Sequence, residues 1–204
     1  MILTVAHTKG GVGKSTLAWH LASSWHDKKI AVIDLDFQQT LHYINVMGES
    51  RLTLIQPQNS DELIDFFTMS ASQYDFVIVD VGGFDSAINR TALRYSHKIL
   101  IPVSDSITEV LGFVTFKAIL SQISTSADIY MVFNNIHPLT KNFDTLREAI
   151  SDTNIQLLDT IVRSRKIYKT TMGEGKSVFN YDGAKALGAQ LEILGVRHEL
   201  IRIH

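Results

Sequence analysis

The sequence predicts one α/β domain spanning residues 1–204, built on a mostly parallel twisted sheet with helices on both faces. Three observations carry this. Short apolar runs alternate with helix-forming stretches in βαβα order. The runs show little period-2 alternation, as strands buried on both faces require. The length of 204 residues suits one hydrophobic core.

Taken in order, the strand candidates are Ile2–Ala6, Ile30–Asp34, Phe76–Asp80, Ile99–Val103, Ile129–Phe133 and Leu157–Val162. Helix candidates lie between them, at Ser15–Trp25, Ser60–Met69, Ser86–Tyr95, Thr108–Ser121 and Asn142–Ile150. Residues 182–203 read as a closing helix, with Leu187, Leu191 and Leu194 on one face and the last apolar residues committed to the core. Region 37–60 is polar and irregular and receives no element.

Composition removes whole classes of function. There are no cysteines, so disulfides, thiolate zinc sites, cysteine-ligated iron–sulfur clusters and cysteine nucleophiles are excluded. The eight histidines form no tight ligand pair, and no Ser/His/Asp triad follows from spacing. No apolar run reaches the length of a membrane span, and the N-terminus lacks the pattern of a signal peptide. A net charge of −2 argues against a permanent nucleic-acid coat. The charge is unevenly spread: residues 163–204 carry eight Lys/Arg against four Asp/Glu.

The strongest motif is Thr8-Lys9-Gly10-Gly11-Val12-Gly13-Lys14-Ser15-Thr16, placed between the first strand and the first helix. Glycines let successive backbone N–H groups turn inward at a positive helix end, which makes a phosphate cradle. Lys14 would reach the β- and γ-phosphates, the Ser15 hydroxyl would ligate Mg²⁺, and Thr16 would lie near the α-phosphate. The fold class thereby sharpens to a single-domain P-loop NTPase. The common pattern has glycine where Thr8 stands, and here a second lysine, Lys9, precedes the glycines.

K-G-G-x-G-K-[ST] resembles the deviant Walker-A motif of the ParA/MinD ATPases. That resemblance implies that ATP or ADP with Mg²⁺ is held by Lys9, Gly10, Gly11, Val12, Gly13, Lys14, Ser15 and Thr16. It also implies a homodimer in the ATP state, with Lys9 contacting the partner's nucleotide.

Two carboxylates two apart at the second strand's end, Asp34 and Asp36, project the same way, at the sheet end where open parallel sheets bind ligands. The segment Asp34-Leu35-Asp36-Phe37-Gln38 is similar to the family's D-x-D-P-Q switch, with Phe37 in place of proline. The resemblance implies that Asp34 assists Mg²⁺ and that Asp36 orients or deprotonates the attacking water. Four apolar residues before Asp80 look like a Walker-B strand, with Asp80 also on the Mg²⁺ side. Gly82 or Gly83 would offer an N–H to the γ-phosphate, and Asp85 is expected at a helix start.

Asn134, at the end of the fifth of these strands, is similar to the family's adenine-reading position; the alternative is a turn-forming pair with Asn135 before Pro138. Val162–Tyr168 and Met172–Phe179 resemble the late strand, helix and loop of small plasmid-type ParA proteins such as ParF. That branch lacks an added N-terminal DNA-binding domain.

The expected function is a slow, Mg-dependent ATP hydrolase of ParA type for plasmid or chromosome partition. Resemblance implies nonspecific DNA binding through the C-terminal basic residues, hydrolysis stimulated by a ParB-type centromere-binding partner, and a cytoplasmic, nucleoid-associated location without membrane binding. A MinD-like positioning ATPase and a metabolic P-loop enzyme are the rivals.

Overall fold

The computed structural model describes residues 1–48, 52–83, 85–104, 107–144, 147–148, 151 and 153–202, with the backbone alone at 107–111. Its strands are β1 Ile2–Val5, β2 Ile30–Leu35, β3 Thr53–Ile55, β4 Phe76–Val81, β5 Lys98–Val103, β6 Asp128–Ile136 and β7 Gln156–Arg163. They form one sheet in the order β3-β2-β4-β1-β5-β6-β7, and every pairing is parallel. The helices among the described residues are α1 Lys14–Ala22, α2 Thr40–Met47, α3 Ser60–Asp65, α4 Ala87–Tyr95, α5 Ile107–Gln122, α6 Lys166–Gly173 and α7 Ala184–Ile201.

Strand residues alternate between two cores rather than between core and solvent. Ile2, Ile33, Val79 and Ile101 point into one layer, with Leu63 of α3, Leu93 of α4 and Phe113 of α5. Leu3, Val5, Val32 and Ile78 point into the other, with Leu17 and Trp19 of α1, Leu41 of α2, Tyr168 of α6 and Ile193 of α7. Double-sided burial is why the runs read as continuously apolar.

All six expected strands are present, with ends moved by a few residues. Two elements were not legible: α2 and the edge strand β3, both within 37–60. Strand β3 has only three residues, none fully buried. Helix α2 begins at a left-handed Gln39 with no side-chain cap of its own, so the usual start signal is missing. Of the helix expected at Asn142–Ile150, residues 145, 146, 149 and 150 lie outside those described.

The closing helix is present but turned. Leu187 and Leu191 are exposed, and the buried face is Ala186, Ala189, Ile193, Val196 and Leu200. Two apolar stripes compete on this helix. The winning one carries Ala186 and Ala189, whose small side chains allow close approach to the layer below. The Tyr168 hydroxyl, donating to the Ala189 carbonyl at 3.1 Å, seals it. In the tail, Leu200 is buried but Ile201 is half-exposed, so the expected burial of that segment holds only in part.

Helix α7 also guards the sheet's open edge. The Glu199 carboxylate accepts the edge N–H groups of Asp159 at 2.6 Å and Thr160 at 3.0 Å, and Glu192 accepts that of Arg163 at 3.2 Å. Unpaired N–H groups on an edge strand are templates for another chain, so two helical carboxylates close that route on β7.

Candidate functional site

Strand order places the site. The chain leaves β1 toward β2 and β3 on one side, and β5 lies on the other. The carboxyl ends of β1 and its neighbours therefore open onto a crevice, where α/β sheets bind ligands. Register puts Val5, Asp80 and Asp34 side by side across β1, β4 and β2.

The glycine-rich loop fills that crevice. Gly13 has φ +88°, and a Cβ there would come within 2.5 Å of the Asn134 amide nitrogen, so only glycine fits. Asn134 is buried and donates from Nδ2 to the Val12 carbonyl at 2.7 Å. Lys14 is buried, with Nζ donating to the Lys9 carbonyl at 3.0 Å. The loop thus stands folded, its lysine already at the loop's mouth.

A cavity of about 510 Å³ opens above it. It is lined by Gly10, Gly11, Gly13, Lys14, Ser15 and Thr16 of the loop, by Asp36, Phe37, Gln38 and Gly83, and by Asn134, Asn135, Arg163, Arg165, Tyr168 and Lys169. A volume of several hundred cubic ångströms suits a nucleotide-sized ligand. Of the two glycines left open by the sequence, Gly83 lines this cavity, whereas Gly82 lines a small void of about 20 Å³ beside His7.

The three carboxylates sit in distinct environments. Asp80 is fully buried, and among the described residues the Ser15 hydroxyl is a donor close enough to act on the carboxylate but outside good hydrogen-bond geometry. Burial pushes its pKa up to about 8; the nearby Ser15 hydroxyl and Lys14 act in the opposite sense, and the charges of Asp34 and Asp36 add to the rise. Asp34 is buried too, and burial raises its pKa against the pull of three backbone amides. Those amides are Asp36 at 3.1 Å, Leu41 at 2.8 Å and His42 at 3.2 Å, so its carboxylate caps α2. Asp36 is half-buried and accepts the Gln38 amide at 2.9 Å.

Among the described residues no three His, Asp or Glu side chains gather into a metal cluster, but a buried carboxylate near a hydroxyl offers oxygens of the kind a hard divalent cation takes. Asp80 and Ser15 fit Mg²⁺ on chemical grounds. Asp34 lies next to Asp80 in register but already serves α2.

The basic C-terminal residues disperse rather than gather. Arg163, Arg165 and Lys169 line the cavity, and Arg202 lies at the opposite end of the sheet with Met1 and Lys98. Arg163 donates to the His137 and Thr140 carbonyls. Arg165 pairs with Glu192 at 2.7 Å and Lys176 with Glu174 at 3.6 Å. The guanidinium of Arg197 donates to the Ser24 carbonyl at 2.5 Å and lies over the Trp25 ring. The sequence did not reveal that Arg163, Arg165, Tyr168 and Lys169 face the cavity. Their signal is the R-x-R-x-x-Y spacing at the end of β7, which the sequence offers only as a resemblance to small plasmid-type ParA proteins, with its basic residues expected on DNA. Among the described residues no helix is long and apolar enough to cross a membrane.

Comparison with known proteins agrees with this geometry. Residues 3–178 match the model of the CobQ/CobB/MinD/ParA nucleotide binding domain. The chain is 26% identical over 208 residues to the maintenance of carboxysome distribution protein A of Halothiobacillus neapolitanus, covering 98% of this chain and 95% of that one. It superposes on a plasmid partition protein of Borrelia burgdorferi bound to AMPPNP with a TM-score of 0.69 at 19% identity, covering 98% and 99% of the two chains. It superposes on a chain of the MinC:MinD cell division protein complex of Aquifex aeolicus with a TM-score of 0.72 at 13% identity, covering 98% and 95%.

Proposed function

The chain belongs to the CobQ/CobB/MinD/ParA nucleotide-binding family, and we propose that it is a ParA-type positioning ATPase whose ATP-bound dimer holds a cargo on DNA. One observation carries the reading. The phosphate loop has two lysines, and Lys14 alone suffices for a bound triphosphate. Lys9 is then the residue that reaches the nucleotide of a second copy.

The mechanism follows from the chain's own groups. Loop amides from Gly10 to Thr16 cradle the phosphates, and Lys14 turns from the Lys9 carbonyl to the β- and γ-phosphates. Ser15 and Asp80, with Asp34 behind them, would hold Mg²⁺, which neutralises charge on the phosphate oxygens when bound. Asp36, at the cavity wall, orients the attacking water in line with the γ-phosphate. This is positioning and charge neutralisation, so the reaction stays slow until a second chain or a partner protein completes the site.

DNA binding falls to a smaller set of residues than the +4 of the C-terminal segment suggests. Lys166 and Lys169 stand three apart on α6, exposed and on one helix face. Dimerisation doubles that face, which makes DNA binding conditional on ATP.

The named relatives point to two kinds of cargo, a protein organelle and a plasmid. The shared step is tested first. Lys14→Ala is expected to abolish binding of a fluorescent ATP analogue. Lys9→Ala is expected to keep binding but lose ATP-dependent self-association in light scattering. Unchanged self-association of Lys9→Ala would refute the dimer reading. Retention of plain duplex DNA at low salt only with ATP supports the second half; retention independent of nucleotide opposes it.

A further inference from the structure

We propose that His7 is the residue that positions Lys9. The imidazole Nδ1 accepts the Lys9 backbone N–H at 2.9 Å, while the Lys9 carbonyl accepts the Lys14 ammonium at 3.0 Å. Each residue has two soft backbone dihedrals, one on either side of Cα. In the nucleotide-free protein both sides of Lys9 are gripped, and once Lys14 turns to the phosphates the His7 bond to the N–H is the one that remains to set the direction in which the Lys9 side chain leaves the loop.

The ring that does the gripping is itself fixed. His7 is 1% exposed and stacks on Phe116 of α5, centroids 6.1 Å apart and planes 19° off parallel. Gly112 leaves room for it: a Cβ there would lie 2.9 Å from the His7 Cε1 and 3.5 Å from the Lys9 Cβ. The Thr8 hydroxyl donates to the Gly112 carbonyl at 3.0 Å. Helix α5, the imidazole and Lys9 therefore meet at one point, and a shift of α5 is felt by the Lys9 backbone.

Packing alone does not account for an imidazole here. An accepting Nδ1 requires the proton on Nε2, and among the described residues nothing accepts from that buried nitrogen. Such an orphaned buried donor weighs against the fold. Phenylalanine would fill the same stack without that cost. The ring also stays neutral, since burial first, then the charges of Lys14 and Lys9, hold its pKa down to about 4. A protonated ring would have no acceptor to offer.

The inference rests on the reading that Lys9 acts between two copies, so its test separates the two. His7→Phe keeps the stack and removes the acceptor; His7→Asn keeps an acceptor and loses the stack. In the nucleotide-free protein, His7→Phe is expected to speed hydrogen exchange of the Lys9 amide at least about tenfold, and His7→Asn to restore protection. ATP-dependent self-association should weaken about tenfold in His7→Phe and recover in His7→Asn, with ATP-analogue affinity within about threefold of wild type in both. A His7→Phe protein whose Lys9 amide stays protected overturns the proposal. If Lys9→Ala associates like wild type, the reading of Lys9 fails on its own, and the exchange measurement still decides what His7 does.

Discussion

Two segments border the same cavity and are built on opposite terms. The phosphate loop is stitched to its surroundings by buried groups: His7 on the Lys9 amide, Lys14 on the Lys9 carbonyl, and Asn134 on the Val12 carbonyl. The segment after β2 is held at its start by Asp34 and then exposes Phe37 at 78%, Tyr43 at 60%, Val46 at 69% and Met47 at 61%. Its helix buries only Leu41 and Ile44. The bonds from His7 and Asn134 do not depend on the Lys14 ammonium, so they hold the loop's shape when that ammonium turns to a ligand. A segment with one anchor and few buried contacts opens at low cost. The difference is the one expected if the loop is the cradle and the segment after β2 the proposed switch.

The largest expected effect strikes the fastened side. His20 lies on α1, the helix that the phosphate loop opens, and its ring meets the Val178 amide and the Tyr168 carbonyl. Burial holds its pKa down to about 4. The folded chain thus refuses a proton that the unfolded chain binds below about pH 6.5. Stability is full above that value, falls as pH drops and levels off below about 4. The loss is about 3 kcal/mol for this group, and His7 adds in the same sense. The difference in denaturant midpoint between wild type and His20→Gln separates this group from His7, Asp34 and Asp80, which titrate over the same range in both proteins, and that difference should shift against the wild type from pH 7 to 4. A difference that does not change with pH would remove the claim that α1 is locked through this ring.

Next in size is the pin across the loop. Asn134→Ala leaves the buried Val12 carbonyl without its donor, at an expected cost of about 2 kcal/mol in global unfolding. Nucleotide affinity should fall with it, about tenfold, because a loosened loop must be ordered by the ligand. A fall in affinity with unchanged stability would mean that Asn134 meets the nucleotide and does not pin the loop.

How far the sequence carried depends on the kind of signal. The loop was legible because phosphate chemistry demands particular residues at fixed spacing, and Lys14, Ser15, Asp36 and Asp80 all stand at or beneath one cavity. The strands were legible because double-sided burial leaves continuous apolar runs. Helix α2 was not, since its cap is Asp34, far from the helix start in the usual pattern. The buried face of α7 was not, because two stripes fit the helical period and only tertiary packing chooses between them. That Arg163 and Arg165 border the cavity was not legible for a similar reason: charge tells that a residue seeks an anion, not which anion.

The smallest effect is the sharpest test of the contrast. Asp34 offers two oxygens to three amides, two of them in the first turn of α2. In Asp34→Asn one acceptor becomes a donor facing those amides, and the negative charge at the helix start is lost. Both changes weaken α2 by about 1 kcal/mol. The same change removes a buried charge that burial disfavours, which offsets part of that loss in the global balance. Hydrogen exchange at Leu41 and His42 should therefore quicken several-fold while the denaturation midpoint barely moves. If the midpoint falls as far as in Asn134→Ala, the loop and α2 unfold as one unit, and the division into cradle and switch is wrong. If only the two amides respond, α2 is a separately opening element joined to the sheet through the carboxylate that borders the cation site.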